Sequence, residues 1–402
     1  MASACERSSV MLDAPAEWKV RRIGTFAIKV GSGATPRGGK SVYLTSRVSH
    51  ALIRSQHVFD RRFDRDEIAF ITKEHSKELQ NVEVRSGDIL LNITGDGVTF
   101  ARACIVPDDI LPACVNQHVS IVRVDPNVCV PGYLLAFLTH PVTKQYIESF
   151  NSGGSRRAIT KGHIESFEVP LPPLPVQRRI AGILSAYDEL TENNRRRIRI
   201  LEAMARALYR EWFVRPCQAG KLPKGWEEKK IGDVIELAYG KALKAEDRHG
   251  GDVPVFGSSG VVGYHHESYA KGPGIVVGRK GNVGSVFWSD TDFWPIDTAF
   301  YVVTKLSLPY VYYNLQHQTF INNDAAVPGL SRNAAYMKPF IVPDQATMET
   351  FEKHFLPLFG QLRTLSAKNA NLRRARDLLL PRLLSGQVDI SVSDVKTGDQ
   401  AA

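Results

Sequence analysis

The chain has 402 residues, 43% of them hydrophobic and 23% charged, and carries a formal net charge of +9. That length exceeds one ordinary core and implies two or more domains of a soluble globular protein. The positive balance favours a polyanionic partner, nucleic acid or an acidic surface. No run approaches the roughly 18 apolar residues that a membrane helix needs.

Residues 1–16 lack the charged-then-apolar plan of a secretory leader and read as a flexible N-terminus. The five cysteines, Cys5, Cys104, Cys114, Cys129 and Cys217, are odd in number and never spaced C-x-x-C. Neither a disulfide framework nor a structural zinc is expected, and the reducing cytoplasm is the expected compartment. The pair His265-His266 reads as a solvent-facing loop rather than as metal ligands, so no metal is expected.

The segment "GSGATPRGGKS" (31–41) follows a strand-like "FAIKV" and ends in Gly-Lys-Ser. A phosphate-cradling loop needs G-x-x-x-x-G-K-[ST], with consecutive backbone N–H groups around the phosphate. The position of the first glycine is Ala34, and Pro36 removes a donor from the arc. The β-branched and polar "SVYLTSRVSH" that follows does not begin an amphipathic helix. The loop is expected to meet phosphates of another kind.

The chain is written twice. "PAEWKVRRIG" (15–24) is matched by "PKGWEEKKIG" (223–232), and "GDILLNITGDG" (87–97) by "PGIVVGRKGNV" (273–283). "SFEVPLPPLP" (166–175) is matched by "PFIVPDQATM" (339–348), pairing Phe167 with Phe340. A period of roughly 190 residues is too long for a solenoid and suits a domain plus an appendage. Short strands such as "DILLNI", "VSIVRV", "GIVVG" and "TAFYVV" alternate with Gly, Asn and Asp turns and a few short helices, making each globular part α+β.

Each copy ends in a long helical pattern. The first runs from Pro175 to about Val214, with an apolar stripe through Ile180, Ile183, Tyr187, Leu190, Ile198, Leu201, Ala205, Leu208 and Trp212, and Asn194 on the stripe. The second covers about 344–385 through Phe351, Phe355, Leu358, Leu362, Leu365, Leu372 and Leu379, interrupted by Asn369 and stopped at Gly386. Roughly 40 residues make a rod of about 60 Å, far longer than one domain core requires, so each reads as one strand of a coiled coil. Pro357 and Gly360 predict a kink in the second. Asn194 and Asn369 either fix the register of a buried seam or face water.

Catalytic constellations are missing from the pattern. There is no Asn/Asp-Pro-Pro-aromatic loop, no G-x-G-x-x-G, no His-Glu-x-x-His and no acid correctly placed before Glu227-Glu228-Lys229. Basic residues instead gather in Gly-bearing loops of both copies. The first carries Arg37, Lys40, Arg47, Arg54, Arg156, Arg157 and Lys161, and the second carries Lys241, Lys244, Arg248, Arg279, Lys280, Arg332 and Asn333. Arg and Lys neutralise phosphates or pair with guanine edges, and Asn reads adenine. Two binding modules joined by a rod suit two separated sites on one duplex.

"PLPPLPVQRRIAGILSAYDELTENNRRRIRILEAMARALYREWF" and "LRRARDLLLPRLLSGQV" resemble the two long helical regions of type I restriction–modification specificity subunits. "VPVFGSSGVVGYHHES" with "GPGIVVGRKGNVGSVFWSDTDFWPIDTAFYVV" resembles a target recognition domain of that family. The likeness implies an α+β chain in which two similar target recognition domains are separated by two long helices forming an antiparallel coiled coil. The implied segments are 17–173 and 222–343 for recognition, 174–215 and 344–386 for the helices, and 387–402 for a flexible tail. It further implies a non-catalytic subunit that binds double-stranded DNA with a bipartite site, one half per domain. The helices would set the gap and dock two methyltransferase subunits, with Ile180, Tyr187, Asn194, Leu201, Leu208, Leu358, Leu365, Asn369 and Leu372 as coiled-coil or partner-docking positions. The chain itself would bind no cofactor. S-adenosylmethionine would sit on the methyltransferase partner, and ATP and Mg on the motor–nuclease (restriction) partner. Competing readings are the specificity subunit of a type IIB-like system, a coiled-coil scaffold, and a nucleotide-hydrolysing enzyme built on 31–41.

Overall fold

The computed structural model describes residues 14–95, 98–150, 157–320 and 329–388. They divide into two compact units, parted inside both long helices, between Asn193 and Asn194 and between Lys368 and Asn369. Most of the N-terminal 1–16 and C-terminal 387–402 segments lie outside the described residues.

The first unit holds two four-stranded sheets. One is antiparallel, in the order Ala103–Ile105, Ile89–Asn92, Val119–Val124, Ala27–Ser32. The other runs Ala69–Ile71, His50–Ile53, Ala113–Val115, Glu83–Val84, with its central pair parallel. Strands rich in Ile, Val and Leu are buried on both faces here. Ile89, Leu90 and Leu91 are fully buried because alternate side chains enter two different clusters, Ile89 and Leu91 one, Leu90 the other. The second unit repeats the plan with Val286–Ser289, Gly274–Gly278, Ala299–Thr304, Ile235–Tyr239 and, in its second sheet, Gly260–His265, Val253–Gly257, Trp294–Pro295. In that three-stranded sheet the pair Val253–Gly257 and Trp294–Pro295 is parallel.

The repeat is closest in the backbone hydrogen bonds. Gly33 N–H donates to Val119 O (2.9 Å) and Gly240 N–H to Ala299 O (3.2 Å). Ala34 donates to Val115 O (3.1 Å) as Lys241 does to Pro295 O (2.9 Å), and Ile93 donates to His118 O (3.0 Å) as Arg279 does to Thr298 O (2.9 Å). The expected pairing of 87–97 with 273–283 thus has a structural counterpart. The pairing of Phe167 with Phe340 slips by two residues. Arg22 faces Glu168 while its counterpart Lys230 faces Pro339, and Val169, not Phe167, matches Phe340. Two tyrosine hydroxyls confirm the register, Tyr133 donating to Pro170 O and Tyr310 to Ile341 O. A slip of two preserves which face each side chain takes, so hydrophobic pattern alone does not reveal it.

The first long helix spans Leu174–Tyr209 and continues as a π-turn, Arg210–Val214. The second spans Gln345–Leu384. Asp344 caps the second, accepting from Thr347 N–H at 3.0 Å, and Gly386, at φ 67°, ends it. The helix is continuous through Pro357 and Gly360. Phe351, Phe355 and Phe359 stack along this stretch at 4.7 and 5.0 Å between centroids and hold both flanks of the proline to the unit's core.

Within each unit the two helices run antiparallel. In the first, Ile180 and Leu184 share a core with Leu380, Leu383 and Leu384, and Asp188 meets Arg376. In the second, Trp212 and Phe213 pack on Phe351. Leu365 and Asn369 are buried, and Tyr187, Asn194, Leu201, Leu208, Leu358 and Leu372 are half-buried. Asn369, at 2% exposure, belongs to the seam and not to the solvent face. Leu190 does not belong to it: the leucine is exposed and the neighbouring Thr191 takes the inner position.

A buried ionic triad ties the hairpin Val58–Phe63 to both helices. Arg61, at the left-handed turn of the hairpin Val58–Phe63 (φ 56°), donates to Asp188 at 2.9 Å. Arg376 donates to the other oxygen of Asp188 at 2.7 Å. Removing one member strands the others away from water. Asp188→Ala should therefore cost about 3 kcal/mol in urea unfolding. Asp377→Ala, at an exposed carboxylate on the same Arg376, should cost less than about 0.5 kcal/mol.

Candidate nucleic-acid interface

The equivalent backbone bonds converge at one corner of each unit, where strands of both sheets end together. In the second unit the corner is basic and aromatic. Tyr239 ends the strand Ile235–Tyr239 with its ring half exposed, and the guanidinium carbons of Arg279 and Arg332 lie 4.9 and 4.8 Å from its centroid. Arg279 also donates to Asp297 O at 3.1 Å. Lys280 is exposed beside it, bridging through its backbone to Gly329. Lys241 is exposed with its Nζ 5.7 Å from the Trp294 ring, and Asn333 is exposed on the short helix Arg332–Tyr336. A planar ring flanked by guanidinium groups can stack on a base or sugar while the cations meet phosphates or guanine edges.

In the first unit the same corner is built from hydroxyls and imidazole. Thr94 Oγ1 lies 2.6 Å from His118 Nδ1, and Gly95 pairs with Arg157 across a short ladder. These residues, with Ser55 and Thr99, line a cavity of about 350 Å³. Arg157 also faces Glu148 at 3.6 Å. Arg37 and Lys40 are exposed on the loop that leaves the corner after Ala27–Ser32. Gly38 and Gly39 of that loop have φ of 91° and 58°, and Gly39–Val42 is a single 3-10 turn followed by extended Tyr43. No long helix begins there to aim amides at a phosphate, which removes the nucleotide-hydrolysing reading of 31–41.

Several basic residues expected to face a partner are engaged elsewhere. Arg47 donates to Leu111 O (3.2 Å) and Ile110 O, and Arg54 to Glu67 O (2.7 Å). Arg248 donates to Val262 O (2.7 Å) and Leu243 O (3.2 Å). All three stitch loops together. Lys161 faces Glu165 at 3.5 Å and Lys244 faces Glu246 at 3.7 Å, exposed pairs that leave both cations near the surface. Arg156 lies outside the described residues. Sequence reasoning missed Tyr239, Thr94, His118 and Ser55. The available signal was an aromatic ending a strand directly before Gly240-Lys241.

Comparison with known proteins gives this geometry a family. The type I restriction modification DNA specificity domain matches residues 15–203 and 223–331, once in each repeat. The chain belongs to that family. Its relatives include the type I restriction enzyme MjaIX specificity subunit of Methanocaldococcus jannaschii, 22% identical over 94% of both chains. The HindI specificity subunit of Haemophilus influenzae is 21% identical, over 76% of this chain and 87% of that one. The fold resembles the crystal structure of a type I restriction–modification system S subunit from M. genitalium, with a TM-score of 0.59 at 16% identity, covering 91% of this chain and 96% of that chain. As a specificity subunit the chain is a non-catalytic DNA-recognition component. No helix among the described residues is long and apolar enough to cross a membrane.

The electrostatics of the first unit generate a pH response. His57, the last residue of the turn that carries Ser55, is fully buried and accepts from Arg54 N–H at Nδ1 (3.0 Å). Burial, reinforced by the charge of Arg54, lowers it from 6.5 to about 4. The unfolded chain therefore binds more protons in that window, and stability falls as pH drops from about 6.5 towards 4, by about 3 kcal/mol in all. His57→Gln should flatten the decline between about pH 6.5 and 5, where carboxylates contribute little, in urea titrations at several pH values.

Proposed function

We propose that each unit reads one half of a bipartite site on double-stranded DNA through its strand-end corner, and that the two helices set the gap between the halves. The observation that supports this is the pairing of a common framework with different side chains. The same backbone hydrogen bonds place Ile93-Thr94 in one unit and Arg279-Lys280 in the other, and His118 in one and Thr298 in the other. A shared scaffold gives a shared way of meeting the duplex, and unlike side chains give unlike letters. Arg37, Lys40 and Arg157 serve the first half-site, and Lys241, Lys244, Arg279, Lys280, Arg332 and Asn333 the second. Lys161 is a phosphate contact once it exchanges Glu165 for the backbone. Arg47, Arg54 and Arg248 shape the loops rather than touch DNA.

The partners in this reading are two methyltransferase subunits docked along the helices, with motor–nuclease subunits joining the assembly in the cytoplasm. The exposed Leu190, Ile200, Met204 and Leu378 supply apolar footing for docking. The chain binds no cofactor. S-adenosylmethionine belongs to the methyltransferase, and ATP with Mg to the motor–nuclease.

Arg279→Ala should relax or weaken recognition at one half-site by about 1–3 kcal/mol and leave the other unchanged, as read by methylome sequencing of cells carrying the complex. Equal loss at both halves would contradict the two-corner assignment. Four residues inserted after Thr191, matched by four beside Arg373 to keep the antiparallel register set by Asp188 and Arg376, should lengthen the preferred gap by about 2 bp. An unchanged gap would end the ruler reading.

A further inference from the structure

The strand Gly260–His265 ends at its histidine, and the release from strand geometry lets His266 turn towards the same side. The two imidazole centroids come within 4.3 Å, and one ligand atom from each of His265, His266 and Glu267 lies within 4.8 Å of the others. Among the described residues this is the one group of three or more such side chains so placed. A third imidazole, His249, reaches over from the preceding loop, its centroid 6.1 Å from both. The expected solvent-facing position holds for His266 but not for His265. His265 is only 5% exposed, and Glu267 completes the set.

His265 also carries an unexplained polar atom. Its Nδ1 is buried and has no hydrogen-bond partner. A buried, unsatisfied imidazole nitrogen costs desolvation energy unless something uses its lone pair. The ring is held by the edge-on Trp294 at 5.4 Å, as a ligand that must keep one orientation would be. The loop behind the site is also fixed. Gly251 adopts φ 109° at a point where a Cβ would lie 2.6 Å from His265 O, and Arg248 ties the loop to Val262 O.

We propose that His249, His265, His266 and Glu267 bind one divalent transition-metal ion, with zinc the best match. Three imidazoles and a carboxylate are the borderline nitrogen-rich set that zinc takes in tetrahedral geometry. Bonds of roughly 2.0–2.1 Å put tetrahedral ligand atoms about 3.4 Å apart. Binding would draw the exposed His266, Glu267 and His249 in to that spacing around the buried His265. The ion clasps the loop at 248–251 to the end of the hairpin. Trp294, whose Nε1 donates to Lys241 O at 2.8 Å, links the clasp to the corner that carries Tyr239 and Lys241. The site stands independently of the DNA reading.

The test uses the full, untagged chain freed of metal by a chelator and titrated with zinc by calorimetry. One ion per chain is expected. The double variant His266→Ala, Glu267→Gln alters only exposed side chains, and it should weaken binding by at least about tenfold. X-ray absorption of the zinc-loaded chain should show imidazole scattering. Cys217→Ser should leave binding unchanged, since no cysteine belongs to the ligand group. Absence of stoichiometric zinc, unchanged affinity in the double variant, or loss of binding in Cys217→Ser would overturn the proposal.

Discussion

Two glycines that admit no side chain underlie the arrangement of both strand-end corners. A Cβ on Gly33 would lie 2.0 Å from Val115 O, and one on Gly240 would lie 2.2 Å from Ile296 O. At these points the outer strand of one sheet passes directly over the last carbonyls of the other. That contact lets residues 33–34 and 240–241 bond to strands of both sheets in turn. Without it the two sheets would end apart, and the loops leaving them would not share one surface. The constraint is steric, so it is satisfied identically in two sequences that otherwise differ widely.

On this common frame the two corners diverge in chemistry. One presents a tyrosine between two guanidinium groups and two free lysines. The other presents threonines, a serine and a histidine around a cavity, with its cations set on a neighbouring loop. Side chains that project from a rigid frame can change without altering the frame's hydrogen bonds, since those run through backbone atoms. A repeated domain built this way can hold one frame while the chemistry it presents changes.

The helices rely on a different device. Their seam is narrow, because only two helices share it, and many of its positions are half-buried. Polar groups on such a seam do little for raw stability. They make alternative registers costly, since any slip would leave a charge or amide buried without its partner. The Arg61–Asp188–Arg376 triad and the buried Asn369 fill that role in the first unit. Aromatic stacking of Phe351, Phe355 and Phe359 does corresponding work in the second, and carries the helix past Pro357.

The sequence by itself determined the two long helices, the doubled α+β plan and the matched segments around Trp18 and Trp226, Ile93 and Arg279. These depend on local periodicity, caps and turn residues, which act over a few neighbouring positions. It also located the basic Gly-bearing loops, including Arg279, Lys280 and Arg332. Only the tertiary structure decided which cations remain available, because the carbonyls that capture Arg47, Arg54 and Arg248 come from segments 5 to 64 residues distant in sequence. Tertiary structure likewise set the two-residue register of the closing strands, chose Thr191 over Leu190 for the seam, and brought His249 to His265 and His266. Each of these turns on which backbone approaches which, and hydrophobic patterning reports only the face a residue takes, not the partner it finds there.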